Sequence, residues 1–254
     1  MFSDQRESII LEQVTKNGSV KLAELMDLLQ ISEATVRRDL TSLEKKGLLK
    51  RTHGGAVSLS ISSYEANYHE SEKVNIDKKQ RIAAACAELI NDEETVMLDS
   101  GTTTFEIARL IKEKKVTLVT NSVTIIVDFI ENGSGKTNII STGGRVRSNL
   151  KAFVGTNAEN AIRSYLPDVT FVSANGFSIE HGASTPDDSE AAAKRAMLES
   201  SKAAYLVVDS SKANKEFFSL IAPCKNFKAI ITDNQIDEKI VQAFEQQGVQ
   251  VIVV

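Results

Sequence analysis

The sequence has few of the residues that build metal sites and disulfide frameworks. Its 254 residues include two cysteines, Cys86 and Cys224, and three histidines, His53, His69 and His181. The cysteines lie in separate apolar segments with no paired spacing, so we expect both to be reduced packing residues. The histidines are equally scattered, so the sequence indicates neither a metal site nor a Ser-His-Asp triad.

Long apolar runs are also absent. No stretch approaches the roughly 20 apolar residues that cross a bilayer, and residues 1–7 are charged and lack the apolar core of a signal peptide. Hydrophobic residues make up 42% of the chain and charged residues 25%, as in soluble globular proteins. These features predict a cytoplasmic protein with no membrane partner, long enough for two unequal domains.

Two motifs for nucleotide binding are incomplete. Residues 133–137, Gly-Ser-Gly-Lys-Thr, look like the end of a Walker loop, but Ile130 stands where the earlier glycine belongs. A strand is also predicted after this loop, where the motif requires a helix. Because no G-x-G-x-x-G opens a βαβ unit either, we predict no nucleotide cofactor, and no cofactor of any other kind.

Charge is unevenly distributed along the chain. The net charge is −4, yet residues 1–60 carry nine basic and eight acidic side chains. The excess of negative charge therefore lies in the remaining residues. Between Glu33 and His53 there are six basic side chains and three acidic ones. A local basic patch on an otherwise acidic chain is typical of a protein whose DNA contact is confined to one small module.

The first 58 residues read as three short helices followed by a hairpin. Apolar residues at three- and four-residue spacing predict helices over about 4–16, 21–29 and 33–46. Ser32 is predicted to cap the third helix through its hydroxyl, and Gly47 to end it. Extended runs on either side of His53-Gly54-Gly55 predict a hairpin, which would be the wing of a helix-turn-helix domain over 1–58.

The third helix and the wing carry the side chains that we expect to contact DNA. Small and hydrogen-bonding residues near the start of a recognition helix meet base edges, while basic residues reach phosphates. The predicted contacts are Ser32, Glu33, Ala34, Thr35, Arg37, Arg38, Thr41 and Ser42 on the helix, with Lys50, Arg51 and His53 on the wing. The alternative is a plain three-helix bundle with a solvated charged face. The paired arginines, the wing and the local basic excess favour a double-stranded DNA operator as partner.

The rest of the chain is predicted to be an α/β domain over 75–254, joined by a polar linker over 59–74. Apolar runs predict strands over 95–98, 116–119, 137–140, 169–172, 203–208, 229–231 and 249–254. Helical patterns lie between most of them, over 75–90, 104–111, 123–131, 157–164, 189–200 and 238–247. This alternation predicts a mainly parallel sheet covered by helices, with strands buried on both faces.

Polar residues gather where the predicted strands end, which is the edge where ligands of open α/β sheets bind. The predicted effector-binding residues are Asp99, Ser100, Gly101, Thr102, Thr103, Thr104, Thr120, Asn121, Gly143, Gly144, Arg145, Asn175, Glu190 and Lys212. Residues 100–104, at a helix start, suit an anion, which Lys212 would neutralise. Asp99, Asn121 and Glu190 would hold hydroxyls, so a phosphorylated polyol fits the mixture. The alternatives are an ordinary capped helix at 99–104 and an exposed surface lysine at 212.

The sequence resembles the DeoR family of transcriptional regulators over nearly its whole length. The matching stretches are residues 20–25, 31–40, 43–47, 51–56, 99–104, 120–122, 143–144, 155 and 209–212. The resemblance implies a winged helix-turn-helix joined to a sensor domain related to ribose-5-phosphate isomerase and CoA transferases. It also implies a phosphorylated sugar as effector and repression of a carbohydrate-utilisation operon.

Three further expectations concern assembly and activity. Paired recognition helices need half-sites about 34 to 36 Å apart, so we expect self-association into a dimer or tetramer. The sequence leaves open whether the protein represses or activates transcription. An enzyme is the rival class, with Asp99, Glu190 and Lys212 as acid, base and anchor. We predict no enzyme, because a helix-turn-helix has no use in an isomerase.

Overall fold

The computed structural model describes residues 3–17, 19–52, 54–58 and 68–254. The chain divides into two compact units, and the division falls between residues 64 and 65. Each unit has its own apolar core. In the described ranges, no helix combines the length and the apolarity needed to cross a bilayer.

The N-terminal unit contains the three helices and the hairpin that the sequence predicts. Its elements are α1 (Ser3–Asn17), β1 (Ser19–Lys21), α2 (Leu22–Leu29), α3 (Glu33–Lys45), β2 (Leu49–Thr52) and β3 (Gly55–Ser58). β2 and β3 pair antiparallel as the wing, and β1 adds a third antiparallel strand beside β3. Val36, Leu40 and Leu43 face inward from α3 and are fully buried or nearly so. The winged helix-turn-helix is therefore confirmed, with one strand that was not predicted.

The two ends of α3 differ in how well the prediction holds. Ser32 occupies the N-cap position, but its hydroxyl lies 3.0 Å from the Thr35 hydroxyl and caps no amide. The predicted side-chain cap is therefore wrong, and the Ser32 carbonyl accepts from the amides of Thr35 and Val36 instead. At the other end Gly47 has a φ of +67°, which glycine adopts without strain, and ends the helix as predicted.

Part of the predicted linker is helical. Of the range 59–74, residues 59–67 lie outside the described residues, whereas Tyr68–Lys73 forms α4. The Tyr68 side chain is buried, and its backbone amide donates to the Asn149 carbonyl at 2.9 Å. α4 therefore belongs to the C-terminal unit, and the linker predicted from composition extends too far.

The C-terminal unit is built on a parallel sheet. Its helices are α5 (Ile76–Glu88), α6 (Thr102–Leu110), α7 (Val123–Asn132), α8 (Thr156–Arg163), α9 (Asp188–Ser200) and α10 (Glu238–Gln246). Its strands are β4 (Thr95–Leu98), β5 (Thr117–Thr120), β6 (Asn138–Ser141), β7 (Arg145–Arg147), β8 (Ala152–Val154), β9 (Val169–Ser173), β10 (Gly176–Ser178), β11 (Gly182–Thr185), β12 (Ala204–Val207), β13 (Ser219–Ala222), β14 (Ala229–Thr232) and β15 (Val251–Val253). The main sheet has the order β15-β14-β12-β9-β4-β5-β6, and every pair in it is parallel. All seven predicted strands are in this sheet.

Helices cover both faces of the main sheet. In β4, Val96 and Leu98 pack with residues of α5, α6 and α7, whereas Met97 packs with residues of α8 and α9. Successive strand residues point to opposite faces, so a strand between two helical layers must be apolar at every position. This is why the strands appear in the sequence as continuous Val, Ile and Leu runs.

The two cysteines lie inside this unit. Cys86 is fully buried and Cys224 is 5% exposed. Burial raises the pKa of the Cys86 thiol far above its usual range and that of Cys224 to about 12. We expect neither thiol to react with Ellman's reagent at pH 8 in the folded protein, because the thiolate is the nucleophile. Both should react after unfolding in guanidinium chloride. Rapid release of one equivalent from the native protein would contradict this.

Candidate functional site

Five neighbouring strands of the main sheet bring the predicted effector residues to one edge. In sheet order these strands are β12, β9, β4, β5 and β6. The segments that follow them are residues 208–212, 174–175, 99–101, 121–122 and 142–145. Parallel strands end at the same edge, so the sequence prediction that these segments share one side of the sheet is met by the topology.

Asp99 lies at the centre of this edge and is completely buried. One carboxylate oxygen accepts from the Gly101 amide at 2.9 Å and from the Thr104 hydroxyl at 2.7 Å. The other accepts from the amide and the hydroxyl of Ser173, at 2.7 and 2.8 Å. It also accepts from the ammonium of Lys194 on α9. The carboxylate therefore ties together the ends of β4 and β9, the start of α6, and α9.

The charge of Asp99 depends on this network. Burial alone would raise the pKa of Asp99, but the Lys194 ammonium and the hydrogen bonds from Gly101 and Thr104 hold it below its ordinary value of 3.8. Asp99 is thus ionised at neutral pH although no water reaches it. Glycine is required at position 101 because the backbone there passes close to Ser173. A Cβ at this position would lie 2.2 Å from the Ser173 hydroxyl oxygen.

Two residues that the sequence assigned to the effector have their polar atoms occupied by the protein. Asp99 was predicted to bind hydroxyls, but its oxygens accept the bonds described above. The Thr120 hydroxyl is fully buried, donates to the Leu98 carbonyl at 2.7 Å and accepts from the Ser122 amide at 3.0 Å. The geometry therefore gives Asp99 and Thr120 the role of shaping the edge, and we correct their assignment accordingly.

Other polar atoms at the edge have no hydrogen-bond partner among the described residues. The first amides of α6 have no intrahelical acceptor, and no described side chain caps them at Gly101. Asn121 is 3% exposed, and its amide nitrogen donates to the Phe153 carbonyl at 2.9 Å. Its Oδ1, however, accepts no bond from the residues that the structure describes. Ser100 is also buried, at the turn into α6.

Lys212 lies at the end of a 3-10 turn, Ser210–Lys212, that follows β12. Its side chain is half-buried, and burial lowers the pKa of its ammonium, an effect that the nearby Asp209 carboxylate opposes. Within the described part of the chain the ammonium has neither an ion-pair partner nor a hydrogen-bond partner. The alternative of an exposed surface lysine at 212 is therefore wrong.

The remaining predicted effector residues lie around this edge. Gly143 and Gly144 have φ of +60° and +116° and form the turn into β7, where Arg145 is exposed. The Asn175 Oδ1 accepts from the Thr185 hydroxyl at 2.8 Å. Glu190, in the first turn of α9, is 4% exposed, and one of its oxygens lies 3.6 Å from the Arg147 guanidinium.

Sequence reasoning missed Lys194. It lies one turn after Glu190 on α9, so both side chains project from one face of the helix toward the strand ends. The pattern Asp187, Glu190, Lys194 at three- and four-residue spacing was visible in the sequence. Only the fold, however, shows that Lys194 meets a carboxylate 95 positions away.

The predicted DNA-contacting residues lie mostly on an open face of α3. Ser32, Glu33, Ala34, Arg37 and Arg38 are exposed, and Thr35, Thr41 and Ser42 are half-buried. The Lys50 side chain is exposed, Arg51 is half-buried, and His53 lies outside the described residues.

These side chains differ in their availability. The Arg37 guanidinium is 2.7 Å from the Glu33 carboxylate, whereas Arg38 has no partner among the described residues. Arg51 donates to the Thr41 hydroxyl at 2.6 Å, which ties the wing to α3. Ser42 is half-buried, and its side chain contributes to lowering the pKa of the Glu7 carboxyl of α1, so its contact with DNA stays a prediction.

Ion pairs to α1 hold α3 in place, and the sequence gave no sign of them. Arg6 binds Asp39 through two bonds of 2.7 and 3.0 Å, and the Asp39 side chain is almost completely buried. Lys46 lies 2.5 Å from Glu7, and this hydrogen bond lowers the pKa of the Glu7 carboxyl. The orientation of the exposed face of α3 is thus fixed at the middle of the helix, through Asp39, and at its C-terminal end, through Lys46.

A shallow depression elsewhere on the C-terminal unit carries none of the predicted residues. It is lined by Arg163, Ser164, Tyr165, Leu166, Glu199 and Ser200. These residues lie at the C-terminal ends of α8 and α9, and α9 runs about 15 Å from Glu190 to that end. The depression has no cluster of buried polar groups, so we assign it no function.

Comparison with known families gives a match to each unit. The DeoR-like helix-turn-helix domain matches residues 6–62, and the DeoR C terminal sensor domain matches residues 74–234. Together the two matches cover most of the chain.

Individual proteins give the same picture. The chain is 34% identical to the uncharacterized HTH-type transcriptional regulator YulB of Bacillus subtilis, over 100% of this chain and 98% of that protein. It is 34% identical to the lactose phosphotransferase system repressor of Staphylococcus epidermidis, over 91% of this chain and 92% of the repressor. A ribose 5-phosphate isomerase from Methanocaldococcus jannaschii is 15% identical over 56% of each chain with a TM-score of 0.41.

Proposed function

Because this chain belongs to the DeoR family of helix-turn-helix transcriptional regulators, we propose that it represses a carbohydrate-utilisation operon in the cytoplasm. In this proposal a phosphorylated sugar binds the C-terminal unit, and the repressor then releases its operator. The proposal includes no catalytic activity and no cofactor.

The exposed face of α3 supports the DNA part of the proposal. Its first turns present hydroxyls and two arginines, and its orientation is set by ion pairs to α1 and by the wing. A recognition helix needs this combination of an open face and a rigid base, because the side chains must meet base edges in register. Two such helices would read two half-sites, so the acting species is a dimer or tetramer.

The observation that best supports an anionic effector is the set of unpaired groups at the sheet edge. Among the residues that the structure describes, the first amides of α6 and the ammonium of Lys212 are donors without acceptors. Free helix amides and a nearby cation form a site for phosphate. The buried Oδ1 of Asn121 is an acceptor without a donor, which a sugar hydroxyl would provide.

These groups suggest how a phosphorylated sugar would lie. The amides of residues 102–104 would bind the phosphate, with Lys212 beside it. Asn121 and Glu190 would accept hydrogen bonds from the sugar hydroxyls. Asp99 would keep the α6 turn in shape without touching the ligand. The bonds that Asp99 already makes also argue against an isomerase. A carboxylate bonded to Lys194, Gly101 and Ser173 is not free to transfer protons.

A gel-shift titration tests the proposal. The full-length protein should bind the DNA upstream of its own gene and neighbouring operons more tightly than random duplex at the same salt concentration. A panel of aldose and ketose phosphates, each matched by its unphosphorylated sugar, should contain a compound that releases the DNA. Equal affinity for random duplex at every ionic strength would refute operator binding. Release by the unphosphorylated sugars alone would refute the phosphate site.

Replacing Arg38 with alanine should weaken operator binding more than replacing Arg37. The Arg38 guanidinium has no partner among the described residues, whereas Arg37 must first break its ion pair with Glu33. Loss of a base contact costs about 1 to 3 kcal/mol, or roughly 5- to 150-fold in affinity. If Arg38 contacts a phosphate, the slope of log affinity against log salt should fall by about 0.9. Arg163→Ala, an exposed arginine of the C-terminal unit, is the matched control, and equal losses in all three variants would remove Arg38 from the interface.

A further inference from the structure

The turn that carries Lys212 is bonded directly to the beginning of α5. The side-chain amide of Asn75, at the N-cap of α5, donates to the Asp209 carboxylate at 3.0 Å and to the Ser211 hydroxyl at 3.2 Å. The Lys212 amide in turn donates to the Asp209 carbonyl at 3.0 Å. Asn75 therefore holds the turn through the residues that precede Lys212.

Lys78, in the first turn of α5, adds further bonds between α5 and the turn. Lys78 donates to the Ser210 hydroxyl at 2.8 Å and lies 3.3 Å from the Asp233 carboxylate. Asp233 also accepts from the Ser210 amide at 2.6 Å. Asn75 itself has a φ of +56°, a backbone conformation that Asn adopts more readily than most side chains. The sequence therefore places here a residue that tolerates the bend between α4 and α5 and also reaches the turn.

α4 is held against the same part of the unit. The Lys79 ammonium of α5 donates to the Ser71 carbonyl of α4. Tyr68 of α4 is covered by Lys151, whose ammonium lies 4.8 Å from the ring centroid. The Lys151 carbonyl accepts from the Val123 amide, two residues after Asn121. α4 thus contacts α5, whose first residues bond the Lys212 turn, and the Lys151 loop, which bonds the start of α7 just after the end of β5.

We propose that Asn75 is a positioning residue that couples the Lys212 turn to α4, so that effector occupancy is reported to the chain leading to the DNA-binding unit. This inference rests on the proposed function, because it takes the Lys212 turn as part of the effector site. α4 is the first described element after residues 59–67, and any shift of α4 moves the end of that connection.

The coupling arises because the Lys212 turn would contact both the phosphate, through Lys212, and α5, through Asn75. A phosphate near Lys212 attracts its ammonium, and Asp209 and Ser211 move with the turn, so their bonds to Asn75 must follow or break. Lys79 is close enough to the turn to feel the charge of Asp209. Burial lowers the pKa of Lys79 to about 8, and the Asp209 carboxylate opposes that effect. A bound dianion favours the charged form of Lys79, which strengthens its bond to Ser71. The Asn75 bonds to the turn and the Lys79 bond to Ser71 would therefore both change how firmly α4 is bound to the C-terminal unit.

Hydrogen exchange with inorganic phosphate as the probe tests this coupling. In the full-length wild type, phosphate at constant ionic strength should slow exchange in residues 99–106 and 209–213. It should also change exchange in α4 by about fivefold or more, the lower end of typical coupling factors. Asn75→Gly keeps the positive φ but removes the amide, and Asn75→Asp places a carboxylate against Asp209. Both variants should keep the effect at 99–106 and lose the effect in α4.

Lys73→Ala is the matched control, because Lys73 is an exposed residue at the end of α4 without a described partner. It should respond like the wild type in both regions. If phosphate protects 99–106 but α4 responds equally in wild type and in Asn75→Gly, the coupling role is refuted while the effector site stands. If phosphate does not change exchange at 99–106 in the wild type, the effector site and the coupling are both refuted. Asn75→Gly separates these cases even if Asn75→Asp fails to fold.

Discussion

Replacing Asp99 with asparagine is expected to lower the free energy of unfolding of the C-terminal unit by about 3 to 5 kcal/mol. The substitution removes the negative charge but leaves the Lys194 ammonium buried beside it, with only 6% of that side chain exposed. An uncompensated buried charge loses its hydration without gaining a partner. For a unit of this size the loss corresponds to a fall in Tm of roughly 6 to 20 °C.

A double-mutant cycle checks this prediction. Asp99→Asn and Lys194→Met should each be strongly destabilising, and the double variant should be more stable than the sum of the two losses predicts, because neither charge is left alone. Glu113→Gln is the control for the chemical change, since Glu113 pairs with Lys136 on the surface, where such pairs contribute little. Additive losses in urea denaturation would show that the two charges do not depend on each other.

The same substitution should change the response to acid. The pKa of Asp99 is lower in the folded protein than its ordinary value of 3.8, so the unfolded chain binds more protons as the pH falls. The stabilisation that Asp99 provides is therefore complete above its unfolded pKa and is lost as the pH falls through its folded pKa. Relative to Asp99→Asn, the wild type should therefore lose more stability as the pH falls below 3.8. Parallel curves of stability against pH would contradict this.

The sequence predicts the main sheet well because its strands are buried on both faces. β4, β9 and β12 must be apolar at nearly every position, and such runs stand out between helical patterns. The smaller sheets were missed. β10 and β11 have only three and four residues, mostly Gly, Ala, Ser and Thr, so neither length nor alternation marks them. β10 and β11 pair as a short hairpin, but β11 also pairs with β13, more than 30 residues further along the chain, and local pattern cannot show that contact.

The candidate site was predicted in position but less well in role. Parallel strands must end together, so the location followed from the strand order and the polar residues beyond each strand. Whether a polar side chain is free to bind a ligand depends on its neighbours, which are distant in sequence. Asp99 is satisfied by Ser173 and Lys194, 74 and 95 positions away, and the residue types alone gave no sign of either bond. The buried Asp39, paired with Arg6, is the corresponding case in the DNA-binding unit.

Replacing Lys212 with methionine should remove the response to phosphate without harming the fold. In the free protein the Lys212 ammonium is half-buried, has no described partner, and has a pKa lowered by burial. Its charge is therefore a cost to stability until an anion arrives. Methionine keeps much of the length and removes the cost, so the Tm of the free variant should equal or exceed that of the wild type.

Binding should show the opposite effect. A hydrogen bond to a charged group contributes about 1.5 to 3 kcal/mol, so affinity for inorganic phosphate should fall roughly 10- to 150-fold. The rise in Tm that phosphate causes in the wild type should fall in proportion, because it reports only binding to the folded state. Operator affinity without effector should be unchanged.

Lys225→Met is the control for this experiment, since Lys225 is an exposed lysine outside the loop that carries Lys212. It should keep the full response to phosphate. A Lys212→Met protein that still gained wild-type thermal stability from phosphate would place the anion elsewhere. A Lys212→Met protein that was markedly less stable without phosphate would mean that Lys212 supports the fold. The gain or loss of stability in the free variant therefore separates a binding lysine from a structural one, because only the former is left unpaired until its ligand binds.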